Sequence, residues 1–149
     1  MLTRQKILIK LLEKYSSKKV LFEAFNESEI DFIVKPYGFG NGKSFSLINK
    51  SNKQTIVSCA SKEENSILYI VGMYTTSEYR HQGNGYLFLQ KIIQYCKKNS
   101  YKSIILDVEK NNLNAIKLYK KIGFVEYEGS SYHTFFGVKG IIIHMKLDL

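Results

Sequence analysis

Apolar residues recur along this chain with two different periods, and the changes of period mark its predicted elements. Residues 3–16 carry apolar side chains at helical spacing after Thr3, which predicts an amphipathic helix with that threonine as its N-cap. Residues 20–25 are predicted to form a strand. Residues 27–34 fit either a short helix or a strand, and both assignments stay open at this point.

A glycine-rich loop at residues 36–42 leads into a predicted hairpin. The hairpin strands cover residues 44–49 and 55–61, and a short polar turn joins them. The loop and Lys43 invite a comparison with a phosphate-binding P-loop. However, the first glycine of such a motif would fall at Tyr37, and a strand-like segment rather than a helix follows the lysine. A turn that feeds a hairpin is therefore the better interpretation.

The middle of the chain alternates strands and helices. A near-continuous apolar run at residues 67–74 is typical of a central strand that is buried on both faces. The elements predicted after it are a helix at 83–99, a buried strand at 103–108, a helix at 112–122 that Gly123 ends, and strands at 124–127 and 137–147. This order, flanked by hairpins, predicts a single α/β domain over residues 1–149, built on a mixed sheet.

Charge and composition narrow the class of protein. The chain has 149 residues and a formal net charge of +9, and residues 80–121 hold nine Lys or Arg against Asp107 and Glu109. An excess of positive charge of this kind attracts polyanions, which include both nucleic acids and phosphorylated cofactors. The lysines are scattered over two predicted helices without interleaved aromatic residues, so nucleic-acid binding is the weaker alternative. No apolar stretch reaches the roughly 20 residues that span a bilayer, so no membrane association is expected.

Cysteine content and the start of the chain indicate the compartment. Cys59 and Cys96 are too few for a disulfide scaffold and lack metal-ligand spacing, so buried structural thiols and no metal site are expected. The first residues lead into charged positions rather than an uninterrupted apolar run, unlike a signal peptide. A cytoplasmic protein is the expectation.

A glycine-containing segment links the predicted strand at 67–74 to the helix that follows. It reads Arg80-His81-Gln82-Gly83-Asn84-Gly85-Tyr86. Small residues let the backbone turn tightly at the positive end of the helix, so the amides from Gln82 to Tyr86 can converge on an anion such as a pyrophosphate. Taken alone, two glycines at a helix start can also serve only close packing.

A second element stands thirty residues later. It reads Asn112-x-x-Ala115-x-x-Leu118-Tyr119-x-x-x-Gly123-Phe124. Each member has a structural explanation: Asn112 as an N-cap, Ala115 in close helix packing, Tyr119 in the core and Gly123 as the C-terminal stop.

Together, in this order and with a buried strand between them, the two elements resemble the cofactor-binding half of the GNAT superfamily of acyl-CoA-dependent N-acyltransferases. The resemblance covers about residues 67–127. It implies a mixed, mostly antiparallel sheet whose two central strands splay apart and are flanked by helices, with acetyl-CoA lying in the gap as co-substrate. The implied activity is transfer of the acetyl group to a primary amine by direct attack.

The resemblance also implies roles for particular residues. Main-chain groups of Met73 and Thr75 would contact the pantetheine and the acyl carbonyl, and the Met73 amide would stabilise the oxyanion. Tyr119 would be the general acid for the departing thiolate. The remaining implied cofactor-binding positions are Arg80, His81, Gln82, Gly83, Asn84, Gly85, Tyr86, Asn112 and Ala115.

The acceptor half departs from the family pattern. The strand at 67–74 carries no carboxylate, so the general base stays open: Glu63, Glu64 and Glu78 lie nearby in sequence, and Tyr69 or His133 could relay a proton. His144 is interpreted as structural, and His81 as a solvent-facing loop residue. These departures motivate an alternative, a non-catalytic acyl-CoA-binding or sensor domain on the same fold. The apolar strand at 140–147 could also pair across a homodimer. The acceptor amine is not identified by the sequence.

Overall fold

The computed structural model describes residues 3–5, 25–38, 40–135 and 138–149. Within these ranges, seven strands and two α-helices are present. The strands are β1 (Ile30–Pro36), β2 (Lys43–Asn49), β3 (Thr55–Glu64), β4 (Ile67–Thr75), β5 (Ser103–Glu109), β6 (Val125–Phe135) and β7 (Val138–Asp148). The helices are α1 (Asn84–Lys98) and α2 (Leu113–Ile122), and short 3₁₀ turns cover Glu27–Glu29 and Ser77–Tyr79.

The strands form one mixed sheet in the order β1-β2-β3-β4-β5-β7-β6. Every neighbouring pair is antiparallel except β4 and β5, which run parallel because α1 crosses between them. The predicted mixed, mostly antiparallel sheet is therefore confirmed. The helices at 83–99 and 112–122 are confirmed to within one residue, with Gly83 and Asn99 as caps of α1 and with Asn112 and Gly123 as caps of α2.

The hydrophobic core lies on one face of the sheet, under α1 and α2. Buried and exposed residues alternate at the end of β5, where Leu106 and Val108 are buried while Asp107 and Glu109 are exposed. Helix α1 buries one stripe, as its 3.6-residue period predicts. Fully buried members of the core include Phe45, Leu47, Leu68, Phe88, Leu89, Ile92, Ile104 and Met145.

Strands β4 and β5 pair only along their first four residues. The last paired residues are Ile70 and Leu106. Beyond them the strands have no ladder between them, so a wedge opens in the sheet, as the resemblance implied. The expectation that residues 67–74 are buried on both faces is wrong for the end of β4, where Val71 is 51% exposed and Tyr74 56% exposed. Both residues lie beyond Ile70, the last β4 residue paired with β5.

The N-terminal elements and the first loop also differ from the sequence predictions. Of the helix predicted at 3–16 only residues 3–5 are described, and residues 20–24 of the predicted strand lie outside the described part. Residues 27–34 combine both open assignments, because a 3₁₀ turn precedes β1. Lys43 begins a strand, and its Nζ lies 3.1 Å from Glu63 Oε2, as expected of a hairpin and not of a P-loop.

The last hairpin extends further than the sequence predicted. The strand predicted at 124–127 reaches Phe135 in β6, and its partner β7 continues to Asp148. An irregularity between Glu126 and Ser130 interrupts the register of β6 and β7. Because a bulge of this kind breaks the alternation of side chains, the pattern of apolar residues did not predict that β6 continues beyond it. Among the described residues, no helix is long and apolar enough to cross a membrane.

Candidate functional site

A β-bulge in β4 marks the start of the wedge. Ser58 pairs with Tyr74 and Ala60 pairs with Val71, so one β3 residue faces two residues of β4, Gly72 and Met73. Gly72 has a φ of 64°, a left-handed conformation that glycine adopts without steric cost. A bulge takes one residue out of the hydrogen-bonded ladder. The bulge therefore lies at Met73, whose amide the resemblance assigned to the oxyanion.

Helix α1 begins just beyond the end of β4, and no side chain caps it. Its N-cap is Gly83, whose φ of 79° lies in the left-handed region, and no side-chain hydrogen bond satisfies the first amides. The first turn of a helix leaves its N–H groups without intrahelical partners and carries partial positive charge. The main-chain amides of this turn can therefore bind an anion. We call residues 82–86 the cradle.

Gly85 serves close packing as well. A Cβ built on Gly85 would lie 3.2 Å from Leu118 Cδ2 and 3.4 Å from Met73 Cε. The first turn of α1 therefore packs directly against both α2 and the bulge of β4. The two interpretations of the glycine pair, packing and anion binding, are compatible, because the packing places the uncapped amides beside the wedge.

Side chains of the preceding loop bond back to the strand and the turn. Arg80 Nε donates to the carbonyl oxygen of Thr75 at 2.9 Å, and Gln82 Nε2 donates to the carbonyl oxygen of Glu78 at 3.0 Å. The Thr75 carbonyl, which the resemblance assigned to the pantetheine, thus already has a partner. His81 is exposed with a φ of 59°, which confirms the prediction of a solvent-facing loop residue.

Two further cradle residues differ in exposure. Asn84 is 1% exposed, and its Nδ2 donates to the carbonyl oxygen of Tyr79 at 3.0 Å. The Asn84 Oδ1 is buried without a hydrogen-bond partner. Tyr86 is half-buried, and the Lys121 ammonium lies 5.1 Å from the centre of its ring. That contact brings a positive charge from the end of α2 to the first turn of α1.

Tyr79 anchors the cradle loop, a role that the sequence did not reveal. It is buried, and its hydroxyl donates to Gln54 Oε1 at 2.7 Å. The same hydroxyl oxygen accepts from Asn52 Nδ2 at 3.2 Å and from Asn49 Nδ2 at 3.4 Å. The Phe25 ring packs edge-on against Tyr79 at 5.6 Å. The pairing of β3 with β4 brings Tyr79 next to the turn between β2 and β3 that carries these partners, so no local signal could have found them.

We expect Tyr79→Phe to destabilise the fold by about 1–3 kcal/mol, because it leaves polar partners of the hydroxyl unpaired. Urea unfolding followed by circular dichroism measures this change. The matched control is Tyr37→Phe, since Tyr37 is 57% exposed. Equal unfolding free energies for the two variants would show that the hydroxyl network does not anchor the loop.

The polar start of α2 acts as a cap. Asn112 Oδ1 accepts a hydrogen bond from the Ala115 amide at 3.3 Å, which confirms the N-cap interpretation. Asn112 is exposed at this position, so its side-chain amide nitrogen can still reach a ligand beside the helix. Ala115 packs against the hydrophobic core.

Tyr119 lies on the inner, core-facing side of α2. It is 8% exposed, and its ring contacts that of Phe124 at 5.8 Å. Burial, reinforced by the nearby Cys59 thiol, raises the pKa of Tyr119 to about 12. The hydroxyl keeps its proton at neutral pH.

The cysteines are buried, free thiols, as predicted. Burial raises the pKa of both Cys59 and Cys96 to about 12, so neither is a thiolate at neutral pH. In the part of the chain that the structure describes, no group of three or more His, Cys, Asp or Glu side chains is arranged to hold a metal ion.

The chain was compared with known protein families, curated proteins and solved structures, and the results are consistent with a site made of an uncapped helix start, a bulge and a wedge. The family model of the acetyltransferase (GNAT) family matches residues 7–124. The chain therefore belongs to the GNAT family of acetyltransferases, which confirms the resemblance inferred from the two motifs.

Two curated relatives match a shorter segment. Over 58 residues the chain is 40% identical to the probable N-acetyltransferase san of Drosophila melanogaster, covering 38% of this chain and 32% of that protein. Over 62 residues it is 39% identical to an uncharacterized N-acetyltransferase of Schizosaccharomyces pombe, covering 42% of this chain and 37% of that protein. The matched segment thus spans about a third of the length of these relatives.

Solved structures match more of the chain at lower identity. The ribosomal-protein-S18-alanine N-acetyltransferase of Escherichia coli aligns with a TM-score of 0.65 and 20% identity, covering 82% of each chain. A Bacillus subtilis acetyltransferase in complex with CoA aligns with a TM-score of 0.63 and 13% identity, covering 80% of this chain and 99% of the other. At these identities the likeness establishes the fold, and the predicted fold class is confirmed.

Proposed function

We propose that this protein is an N-acetyltransferase that transfers the acetyl group of acetyl-CoA to a primary amine. The observation that carries the proposal is the junction of the uncapped start of α1 with the open wedge between β4 and β5. The uncapped start of α1 is suited to binding the diphosphate of acetyl-CoA, and the wedge can receive its extended pantetheine arm. Family membership and the CoA-bound Bacillus subtilis neighbour support the choice of ligand.

The residues present fit this ligand. The amides from Gln82 to Tyr86 would hold the pyrophosphate, with Arg80 and His81 at the rim of the loop. Met73, Thr75, Asn112 and Ala115 line the route of the pantetheine arm. Positive charge favours the three phosphate groups of the ligand, and residues 80–121 carry a large share of the net charge of +9.

Two groups of the chain would perform the chemistry. Acetyl-CoA supplies an activated acetyl thioester. The Met73 amide stabilises the negative charge that develops on the carbonyl oxygen. Tyr119 donates a proton to the departing sulfur, a role for which its raised pKa keeps it protonated. No covalent enzyme intermediate is needed, in keeping with the buried, protonated thiols of Cys59 and Cys96.

Titration with acetyl-CoA followed by a transfer assay tests the proposal. We expect saturable binding, and a ligand at 100 times its Kd should stabilise the fold by about 2.7 kcal/mol. Transfer is then measured as free thiol released over a panel of acceptors: a peptide α-amine, an N-blocked lysine peptide, a polyamine and small amines. Mass spectrometry identifies the acetylated product. No stabilisation at saturating acetyl-CoA would contradict the proposal.

Two alternatives predict different results in the same assays. A non-catalytic acyl-CoA sensor binds the ligand but transfers to no acceptor, and the missing carboxylate on β4 motivates it. A nucleic-acid-binding domain binds random DNA in a salt-sensitive manner without binding CoA. A homodimer, a cytoplasmic location and the absence of a resident metal stay predictions of the sequence.

A further inference from the structure

An aspartate and a histidine form a hydrogen-bonded pair across β5 and β7. Asp107 and His144 lie directly opposite each other in the strand register, and Asp107 Oδ1 is 2.5 Å from His144 Nδ1. The histidine side chain is 23% exposed and the aspartate 56% exposed. Both side chains are therefore within reach of a ligand in solution. The sequence analysis interpreted His144 as a structural residue and did not predict its pairing with Asp107.

The pair stands at the mouth of the wedge. Leu106 is the last β5 residue that pairs with β4, so Asp107 is the first residue beyond the ladder. Asp107 and His144 alternate with the core residues Leu106 and Met145 along their strands, so they project from the opposite face of the sheet. Tyr119 belongs to the core on the other face, and its neighbour Leu118 lies beside Gly85 at the first turn of α1. The Asp–His pair and the Tyr119 phenol are therefore on opposite faces of the sheet, and Asp107 is the member of the pair that borders the wedge, with His144 one strand further away.

The hydrogen bond fixes which ring nitrogen is basic. When Asp107 accepts from the Nδ1–H of the neutral imidazole, the lone pair that can accept a proton is on Nε2. The Asp–His pair also lies among other polar groups, and the ring of Tyr127 on β6 is 6.0 Å from that of His144. The charged residues next along the same face are Glu109 on β5 and Lys146 on β7.

Glu63 and Glu64, two of the other candidates for a base, lie at the opposite end of β4 from the bulge. They pair with the first residues of β4. These positions are about 13 and 16 Å along the strand from Gly72 at roughly 3.3 Å per residue. Glu63 is also bound by Tyr101 and Lys43, and hydrogen bonds from these two groups hold its pKa below its usual range against the opposing effect of burial. It serves the packing at that end of the sheet.

We propose that His144 is the general base of the transfer reaction and that Asp107 positions it; this rests on the proposed function. His144 Nε2 takes one proton from the acceptor ammonium, and the freed nitrogen lone pair forms the C–N bond with the thioester carbonyl carbon. The C–S bond breaks with its electron pair on sulfur, and sulfur takes the Tyr119 hydroxyl proton. Tyr119 regains a proton from the new amide nitrogen through water, and His144 releases its proton to solvent.

The test compares His144→Gln and His144→Ala with the wild type in the acetyl-transfer assay between pH 6 and 9.5. We expect kcat to fall about 100-fold in both variants. The decline of wild-type activity toward acidic pH should disappear, and the affinity for acetyl-CoA should be unchanged. Imidazole added to the buffer should restore activity to His144→Ala, a rescue that a structural role would not give. Asp107→Asn should lower kcat about tenfold without changing acetyl-CoA binding.

Tyr69→Phe and His133→Gln are the comparison variants, because both residues were open as proton relays. They should keep wild-type turnover and the acidic decline. An unchanged pH profile in His144→Gln, or loss of the acidic decline in Tyr69→Phe instead, would overturn the proposal for His144. An inactive wild type that does not bind acetyl-CoA would instead contradict the proposed function. Melting curves of each variant exclude loss of fold as the cause.

Discussion

Tyr119→Phe should lose about 100-fold in kcat while its affinity for acetyl-CoA stays within roughly twofold of the wild type. The substitution removes only the hydroxyl, and the ring can keep its contact with Phe124. Without a proton donor, the sulfur must leave as a free thiolate in a buried site, which is costly. Steady-state thiol release gives kcat, and calorimetric titration gives the affinity.

The matched control is Tyr95→Phe on α1. Tyr95 packs its ring edge-on against Phe45 at 5.3 Å, well along the helix from the cradle. We expect it to turn over at the wild-type rate. Equal kcat for Tyr119→Phe and the wild type would remove Tyr119 from the role of acid. Loss of acetyl-CoA affinity in Tyr119→Phe would instead assign the hydroxyl to ligand binding.

The raised pKa of Tyr119 gives this role a pH signature. An acid must be protonated to act, and a pKa of about 12 means that Tyr119 still carries its proton at pH 10. We therefore expect no loss of kcat between pH 8 and 10 that depends on Tyr119. A decline in that range that disappears in Tyr119→Phe would show that the phenol ionises much earlier than its burial implies.

Local patterns predicted the helices and most of the strands, because their signals lie within a few neighbouring residues. The Asn112 cap and the Gly123 stop are such signals, and both are confirmed. The amphipathic stripe of α1 is another. The family resemblance depended on the same short motifs, and the family model confirms it.

Features that depend on strand pairing could not be predicted from the sequence. The hydroxyl partners of Tyr79 come from the turn between β2 and β3, and His144 meets Asp107 only because β7 inserts beside β5. The exposure of Val71 and Tyr74, which lie where the ladder with β5 has ended, could not be predicted from a continuous apolar run. In each case the deciding contact is made by residues far apart in the chain. The assigned ligand contacts of the cradle stay predictions.

The double substitution Gly83→Val and Gly85→Val should weaken acetyl-CoA binding at least about 100-fold. A valine at position 83 would have to adopt a φ of 79°, and a β-branched residue in that region is strongly strained. A valine at position 85 would press its Cβ against Leu118 and Met73. Both changes displace the amides of the first turn. Loss of two charge-assisted hydrogen bonds at about 1.5–3 kcal/mol each accounts for the expected factor.

Gly140→Val on β7 is the matched control for this variant. A Cβ at Gly140 would meet nothing within 4 Å, and its φ lies outside the left-handed region. Valine also suits a strand. We expect wild-type affinity for acetyl-CoA in calorimetric titration of the control. If the Gly83→Val and Gly85→Val protein is folded by circular dichroism and still binds as tightly as Gly140→Val, main-chain amides of the cradle do not hold the diphosphate, because a displaced helix start could no longer present them.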